Sequence, residues 1–142
     1  MSNQKLKNNE LIELDVKGDP RGQLVVLESK VDVAFDIKRV FYIYGTQKNI
    51  SRGDHAHYKT KQFLICINGY CKVTLQYADE TKVYQLDEPN KGVLQDKMIW
   101  GSMHDFSEDC VLLVLADRAY EEKDYIRDHD VFLELSRKNK NL

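Results

Sequence analysis

The chain has 142 residues, a formal net charge of -2, 31% charged residues and 42% hydrophobic residues. This length suits one domain with a single core, and the composition is that of an ordinary globular protein. Because no excess of Lys and Arg is available to neutralise phosphates, we expect no nucleic-acid partner. We find no apolar N-terminal segment and no apolar run long enough to cross a bilayer, so we expect no membrane association and a cytoplasmic location.

Three cysteines, Cys66, Cys71 and Cys110, lie in apolar runs. An odd number of cysteines in such surroundings is typical of buried thiols and not of a disulfide framework. Free thiols also fit a reducing compartment.

The distribution of polar residues predicts one domain with short extensions. Residues 1–10 are predicted to be a flexible lead-in, residues 11–136 a single domain, and residues 137–142 a tail.

The first part of the domain predicts a hairpin over residues 11–28. Its two strands flank residues 17–22, which are rich in turn formers, with Pro20 fixing one φ angle. Arg21 lies at this turn, where it would either face solvent or reach an anionic ligand.

The rest of the chain predicts mostly strands. They are expected over residues 37–44, 62–68, 71–77, 81–86, 93–99 and 111–116. A helical period over residues 121–138 predicts one or two short C-terminal helices. About eight to ten short strands, separated by turn signals, indicate an all-β sandwich or barrel, and a jelly roll would close them into two packed sheets.

Two histidines separated by one residue, His55 and His57, are the best candidates for a working site. Side chains alternate along a strand, so both rings should lie on the same face and converge on one small volume. The spacing His55-x-His57-x4-Gln62-x6-Gly69 resembles the first motif of the cupin superfamily.

In metal-binding cupins this motif supplies two histidines and a glutamate, and a later strand supplies a third histidine. Here the glutamate position is Gln62, whose neutral amide cannot offset the charge of a divalent ion. The third histidine would fall near Trp100 or Gly101, and His104 is the nearest substitute. We therefore predict a site with no metal and no cofactor.

Two imidazoles without a metal can still accept and return protons near neutral pH. Tyr42, Tyr44, Arg39 and Arg52 are close to them in the sequence and could polarise a carbonyl or bind a phosphate. This set of groups suits proton transfer next to a ketone.

Five runs in the same order resemble the sugar nucleotide 3,4-ketoisomerases, over nearly the whole chain from about Leu11 to Phe132. They are residues 19–22, 35–43, 52–57, 62–69 and 124–127. The resemblance implies a cupin fold, that is, a jelly-roll double-stranded β-helix, and a homodimer whose N-terminal hairpin crosses to the partner sheet.

The resemblance also implies the reaction. The keto group of dTDP-4-keto-6-deoxyglucose would move from C4 to C3 through an enediol, without a metal. The product would feed an aminotransferase that makes a 3-amino-3,6-dideoxyhexose for surface glycans such as the O-antigen of lipopolysaccharide. His55 matches the family's proton acceptor, and His57 matches a second active-site histidine.

The predicted roles divide the candidate residues into two sets. The catalytic set is His55, His57 and Tyr42. The substrate-binding set is Arg52, Arg39, Tyr44, Gln62, Arg21, Trp100 and His104, and either a tyrosine or Trp100 would stack on thymine. Arg21 is of the kind seen in members that make the galacto product, which we therefore prefer over the gluco product, while Gly101 could change how the sugar is oriented.

Two other functions use the same features. A 3,5-epimerase of a similar dTDP sugar would also abstract a proton next to a ketone in a jelly roll. A non-catalytic sugar-nucleotide binding protein would keep the pocket without the reaction. A reaction in deuterium oxide distinguishes the 3,5-epimerase from the 3,4-ketoisomerase, because epimerisation labels C3 and C5 without moving the carbonyl.

Overall fold

A computed structural model describes residues 10–140 of the chain. The predicted lead-in over residues 1–10 therefore lies outside the described residues, except for Glu10. The strands are β1 (Leu11–Glu13), β2 (Lys17–Asp19), β3 (Gly22–Leu24), β4 (Arg39–Ile43), β5 (Arg52–His57), β6 (Gln62–Asn68), β7 (Cys71–Tyr77), β8 (Glu80–Leu86), β9 (Lys91–Gln95), β10 (Trp100–His104), β11 (Val111–Ala116) and β12 (Tyr125–Ile126). A short 3-10 turn (Glu122–Asp124) precedes β12, and helix α1 (His129–Lys140) follows it.

Two five-stranded antiparallel sheets form the body of the molecule. The first has the strand order β1-β9-β6-β11-β4, and the second has the order β12-β5-β10-β7-β8. Strands β2 and β3 make a separate two-stranded ribbon. This arrangement confirms the predicted all-β fold with a C-terminal helix.

The core lies between the two sheets, where alternate residues of each strand point inward. On β6 these are Gln62, Leu64 and Cys66, and on β11 they include Leu112 and Val114. The sequence of strand β6 is nearly all apolar because both of its faces are covered. Residues 25–37 pack there and bury Val33 and Phe35 against Phe63 and Ile65.

The predicted hairpin over residues 11–28 is wrong in its pairing. Leu11–Glu13 pairs with β9, where Leu11 is opposite Val93. The hairpin that does form is shorter, with Lys17 opposite Leu24. After Leu24 the chain leaves the ribbon because residues 25–37 are needed to cover the outer face of the first sheet.

Two further boundaries differ from the predictions. The strand predicted over residues 93–99 is Lys91–Gln95, because the chain turns after Gln95, whose Nε2 donates a hydrogen bond to the carbonyl of Ile99. The segment predicted to be helical over residues 121–138 contains strand β12 after its 3-10 turn, and β12 pairs with β5 and so cannot be helical. The α-helix is His129–Lys140, which ends two residues past the predicted end of the helical period at residue 138.

Helix α1 covers the outer face of the second sheet. The Asp128 carboxylate caps it by accepting hydrogen bonds from the backbone N–H groups of Asp130 and Val131, at 2.9 and 3.2 Å. Phe132 of the helix is fully buried against Trp100 and Ile126. Within residues 10–140, no helix has the length and apolar character needed to span a membrane.

Candidate active site

A distortion in β5 aims the first histidine. Gly53 and Asp54 have positive φ angles of 83° and 55°, and the pairing of β5 with β10 shifts register between Gly101 and Ser102. Glycine and aspartate tolerate this conformation better than other residues do. The Asp54 carboxylate fixes the distortion by accepting hydrogen bonds from Ser51 and Ser102, at 2.9 and 2.8 Å.

Three rings meet at the end of β5. The ring centroids of His55 and His57 are 4.8 Å apart, and their planes are at 80° to each other. Tyr125 lies 4.9 Å from His55 and 4.5 Å from His57, because β12 pairs with β5 and places Tyr125 opposite His57. The two histidines therefore share one face of the strand, as the alternation predicts.

The tautomer of His55 follows from its hydrogen bond. Its Nδ1 is 3.0 Å from the carbonyl oxygen of Gly53, which can only accept, so Nδ1 carries the hydrogen. Nε2 then holds the free lone pair. Burial lowers the pKa of His55, so the ring is neutral near pH 7 and can act as a base.

His57 is more deeply placed. The residue is 2% exposed, and burial, together with the neighbouring His55, lowers its pKa to about 4. Among the described residues, its Nε2 has no hydrogen-bond partner. A buried nitrogen left without a partner can instead bond to a bound molecule.

A cavity of about 200 Å³ opens beside the rings, between the two sheets. Its walls combine apolar, charged and titratable side chains, among them Phe41, Arg52, His55, Gln62, Tyr125 and Arg127. Three of the predicted site residues, His55, Arg52 and Gln62, are thus brought together here.

Arg39 lies at the edge of this site. Its guanidinium is 5.3 Å from the ring centre of Phe41 and 5.7 Å from that of Tyr120. Its Nε is buried and has no hydrogen-bond partner among residues 10–140. The positive charge contributes to the lowered pKa of both histidines, which places Arg39 within electrostatic reach of them.

Tyr42 and Tyr44 are not brought to the histidines of the same chain. They are 63% and 72% exposed and stack on each other, 6.1 Å apart, on the outer face of β4. The reason is the alternation of the strand, which sends Phe41 and Ile43 into the cavity and the tyrosines away from it. Tyr42, which is predicted to be catalytic, therefore faces away from the cavity that His55 lines in the same chain.

Two predicted residues on β10 also lie outside the cavity. Trp100 packs beneath helix α1, 5.5 Å from Phe132. His104 Nε2 and the Thr74 hydroxyl are 2.6 Å apart, and its Nδ1 is 2.8 Å from the Asp105 carboxylate. These rings are thus engaged in packing and hydrogen bonds on the outer side of the strand.

Arg21 lies at the tip of the β2–β3 ribbon. Its side chain is 90% exposed and is held by the Asp19 carboxylate, with Nη2 2.6 Å from Oδ2. No wall of the histidine cavity includes Arg21.

The sequence interpretation missed Tyr125 and Arg127. The guanidinium of Arg127 lies 4.2 Å from the ring centre of Tyr125 and also pairs with Glu122, Nε to carboxylate oxygen at 2.9 Å. The run of residues 124–127 belongs to the family resemblance, and the helical period over residues 121–138 predicts a helix there. The alternation of Tyr125 and Arg127, both lining the cavity, is the local signal of a strand.

Asp124 holds this segment in place. Its carboxylate is 5% exposed and accepts hydrogen bonds from the backbone N–H groups of Lys59 and Thr60, at 2.8 and 3.2 Å. The Thr60 hydroxyl donates a third, short hydrogen bond to it. Tyr125, the next residue, is thereby fixed against the histidines.

Gly101 has no room for a side chain. A Cβ at this position would be 2.5 Å from the amide atoms of Gln95. Gln95 is itself buried and tied to the carbonyl of Ile99. The space that a residue at position 101 would take is therefore filled by Gln95.

The donor set at the histidines does not suit a metal ion. Gln62 offers a neutral amide, and Gly101 offers no side chain where a third histidine would be expected. Within residues 10–140, the only cluster of three or more potential ligand residues is formed by Cys66, Cys71 and Cys110, which are elsewhere in the core.

Comparisons with known proteins agree with this architecture. The family model described as FdtA: WxcM-like, C-terminal matches residues 7–137. The chain is 46% identical over 114 residues to the TDP-4-oxo-6-deoxy-alpha-D-glucose-3,4-oxoisomerase of Aneurinibacillus thermoaerophilus, covering 80% of this chain and 82% of that protein.

Two solved structures have the same fold. A histidine mutant of the 3,4-ketoisomerase QdtA from Thermoanaerobacterium thermosaccharolyticum, in complex with TDP-4-keto-6-deoxyglucose, is 43% identical, with a TM-score of 0.90 over 94% of this chain and 97% of that chain. WlaRA, a TDP-fucose-3,4-ketoisomerase from Campylobacter jejuni, is 36% identical, with a TM-score of 0.86 over 92% and 96% of the two chains. Because the family model matches nearly the whole chain, the chain belongs to the FdtA family.

Proposed function

We propose that the chain is a 3,4-ketoisomerase that moves the keto group of TDP-4-keto-6-deoxyglucose from C4 to C3. The observation that carries this proposal is the His55 imidazole, neutral and fixed by Gly53 in the tautomer whose Nε2 is free, in the wall of the cavity. The relatives with this activity support the same assignment.

The reaction begins at C3, whose hydrogen is acidic because C3 is next to the C4 ketone. His55 Nε2 takes this proton, the C3–H electron pair forms the C3–C4 double bond, and the C4 oxygen becomes an enediolate oxygen. A general base in the correct position contributes roughly 10²–10⁴-fold to the rate. The fixed ring orientation reduces the entropy lost in reaching the reactive geometry.

The second half returns a proton to C4 and restores a carbonyl at C3. The C3 hydroxyl loses its proton, the C4 oxygen gains one, and no atom is gained or lost overall. Tyr125 is our candidate for moving the proton between the oxygens, because its ring contacts both histidines. His57 is neutral at pH 7 and is suited to hydrogen bonding with the sugar through its unpaired Nε2.

Arginines supply the positive charge. Arg52 and Arg127 line the cavity, and Arg39 lies at its edge. Their planar guanidinium groups match the oxygens of a pyrophosphate, and a positive charge near the sugar would stabilise the enediolate. Gln62, buried in the cavity wall, can hydrogen bond to a sugar hydroxyl.

We propose that this chemistry needs no metal at the histidines. The proposal is based on the donor chemistry, because a neutral amide and a glycine stand where carboxylate and imidazole ligands would be required. General acid–base groups and arginines take the role of polarising the carbonyl.

We further propose the galacto configuration at C4 of the product. The basis is the family resemblance, because an arginine like Arg21 is of the kind seen in members that make the galacto product. The configuration depends on which face of the enediolate receives the proton. NMR coupling constants of the product distinguish the galacto from the gluco sugar, and a gluco product would overturn this preference.

The isomerase is tested by converting TDP-4-keto-6-deoxyglucose in deuterium oxide and following the product by NMR. We expect the carbonyl at C3 and deuterium at C4. Deuterium at C3 and C5 with the carbonyl still at C4 would instead establish a 3,5-epimerase. Tight TDP binding with no turnover would favour a sugar-nucleotide binding protein.

We propose that the working form is a cytoplasmic homodimer. Three unpaired cysteines favour a reducing compartment. An exposed apolar patch on the outer face of β4, formed by Val40, Tyr42 and Tyr44, is available for contact with a second copy. Light scattering after size exclusion measures the mass in solution, and a monomer at working concentration would contradict the dimer.

A further inference from the structure

The interior of the sandwich contains a second cluster of reactive side chains, away from the histidines. It consists of Cys66 on β6, Cys71 at the start of β7 and Cys110 just before β11. All three residues are at most 1% exposed, and none forms a disulfide. The sulfurs lie within 4.8 Å of one another, and those of Cys66 and Cys110 are 3.5 Å apart.

We propose that Cys66, Cys71 and Cys110 form a binding site for one soft divalent metal ion of the Zn²⁺ and Cd²⁺ class. Zinc–sulfur bonds of about 2.3 Å place the sulfurs around one ion about 3.8–4.0 Å from each other. The three sulfurs of this chain already lie near that separation. Thiolate sulfur is also the donor that such ions prefer.

A divalent ion suits this site better than a monovalent one. On binding, each thiol loses its hydrogen to the solvent and forms one sulfur–metal bond. Three thiolates with a divalent ion leave a net charge of -1, whereas a monovalent ion would leave -2 in an apolar core. The smaller buried charge has the lower desolvation cost.

An oxygen is available as a fourth ligand. The Cys66 thiol donates a hydrogen bond to the carbonyl oxygen of Asn68, with sulfur and oxygen 3.1 Å apart. When the thiol loses its hydrogen, this carbonyl loses its donor and can turn to the ion. Three sulfurs and one oxygen would complete the tetrahedral arrangement that structural zinc sites prefer.

The backbone around the cysteines is held rigidly. Tyr70, in the turn between β6 and β7, accepts a hydrogen bond from the Ser107 N–H at 2.9 Å and donates its own N–H to the Ser107 hydroxyl at 2.8 Å. The Asn68 side chain donates to the Asp109 carbonyl at 2.9 Å. The turn between Cys66 and Cys71 and the loop that precedes Cys110 are thus fastened together before any ion binds, which favours binding.

The test uses the full chain without a histidine tag, reduced and stripped of metal with a chelator. Cd²⁺ is added in long incubations, because the thiols are buried. We expect one ion per chain, an ultraviolet sulfur-to-cadmium charge-transfer band, and release of thiol protons into a weakly buffered solution. Absence of stoichiometric binding, or binding without the band, would overturn the proposal.

Two variants locate the site. Cys110→Ala should weaken Cd²⁺ binding by at least about 100-fold, because it removes a ligand. The matched control is His57→Asn, which removes an imidazole from the other cluster and should leave the affinity within about two-fold. The reverse result, with binding lost in His57→Asn and kept in Cys110→Ala, would assign the ion to the histidines instead.

X-ray absorption on the wild-type protein loaded with Zn²⁺ tests the site even if the cysteine variant does not fold. Scattering from three sulfurs would support the proposal, and a shell of nitrogen and oxygen alone would contradict it. A stable disulfide between Cys66 and Cys110, in a chain that binds no ion after reduction, would also contradict it. None of these measurements depends on the isomerase activity.

Discussion

Strand β6 has two chemically different ends within one interior. At one end Gln62 lines the cavity beside His55, and at the other end Cys66 lies in the thiol cluster. Leu64 separates them and is fully buried. The two clusters are four residues, about 13 Å, apart along the strand. One end opens into a cavity lined by imidazole, amide and guanidinium groups, whereas the other is buried and carries three thiols.

The difference arises at the margins of the sandwich. The open end has a distorted strand at Gly53 and a two-residue strand, β12, that only partly covers it. The closed end has a tight turn fastened to the loop at Ser107. In this molecule the shared apolar core provides rigidity, and the elements at each margin decide which chemistry is possible.

The largest effect should come from removing the base at the open end. His55→Asn is expected to lower kcat by roughly 10²–10⁴-fold, because the asparagine amide can still bond to Gly53 but cannot take the C3 proton. Turnover of TDP-4-keto-6-deoxyglucose, followed by NMR, measures the change. Thermal unfolding controls for folding, and full turnover by a folded variant would contradict the assigned role.

Acid should destabilise the open end through His57. Its pKa in the folded protein is about 4, against an ordinary value of 6.5, so the unfolded chain binds more protons between these values. The free energy of unfolding should therefore fall as the pH falls from 6.5 to about 4, by up to about 3 kcal/mol. Urea unfolding at several pH values measures the slope, which the variant His57→Gln should flatten. An unchanged slope in that variant would assign the acid sensitivity to other groups.

Loss of the Asp124 hydrogen bonds that hold β12 should lower the free energy of unfolding by a smaller amount. Asp124→Asn replaces an acceptor of three hydrogen bonds by an amide, and we expect a loss of about 2–3 kcal/mol in the free energy of unfolding. The matched control is Asp128→Asn at the start of α1, where asparagine caps as well as aspartate does. Equal stability of the two variants would show that Asp124 does not hold the segment.

Adding one methyl group at Gly101, on β10, should lower the free energy of unfolding by about 1–3 kcal/mol. Gly101→Ala places a Cβ against the Gln95 amide, so we expect a lower melting temperature. Combining it with Gln95→Ala makes space and should recover part of the loss. If the double variant is no more stable than the single one, crowding at Gln95 is not the cause.

The last comparison is between two tyrosines, one inside the cavity and one on the outer face of the sandwich. Tyr125→Phe should lower kcat about 10²-fold, the lower end of what a general acid–base group contributes, if its hydroxyl moves the proton between the sugar oxygens. Tyr42→Phe, on the outer face of β4, should change kcat less than about two-fold. Initial rates at saturating substrate measure both. A large loss in Tyr42→Phe would show that this tyrosine reaches an active site in the assembled protein.

Period-two alternation was enough to predict much of the fold and the convergence of the histidines. Strands β6 and β11 are apolar runs and β7 alternates apolar and polar residues, and the predicted positions of all three match the structure. The same alternation, applied to β4, places Tyr42 and Tyr44 on the face opposite to Phe41, as the structure does. The catalytic role of Tyr42 is based on nearness in sequence to the histidines and stays a prediction.

The pairing of strands that are far apart in the chain could not be predicted from the sequence. β1 pairs with β9, far along the chain, so the predicted local hairpin from Leu11 had a distant competitor. Tyr125 belongs to a strand of only two residues, which exists because β5 offers an edge to pair with. Propensity over so short a stretch carries little information, since tertiary contacts override it.

The position of β12 has a consequence for how the protein is made. Synthesis proceeds from the N-terminus, and most of the sandwich, through β11, precedes Tyr125 in the chain. The third ring and Arg127 therefore reach the histidines only after β1–β11 have been synthesised. A product of premature termination before Asp124 would contain both histidines but an incomplete pocket, so the complete site can form only in chains that extend past Arg127.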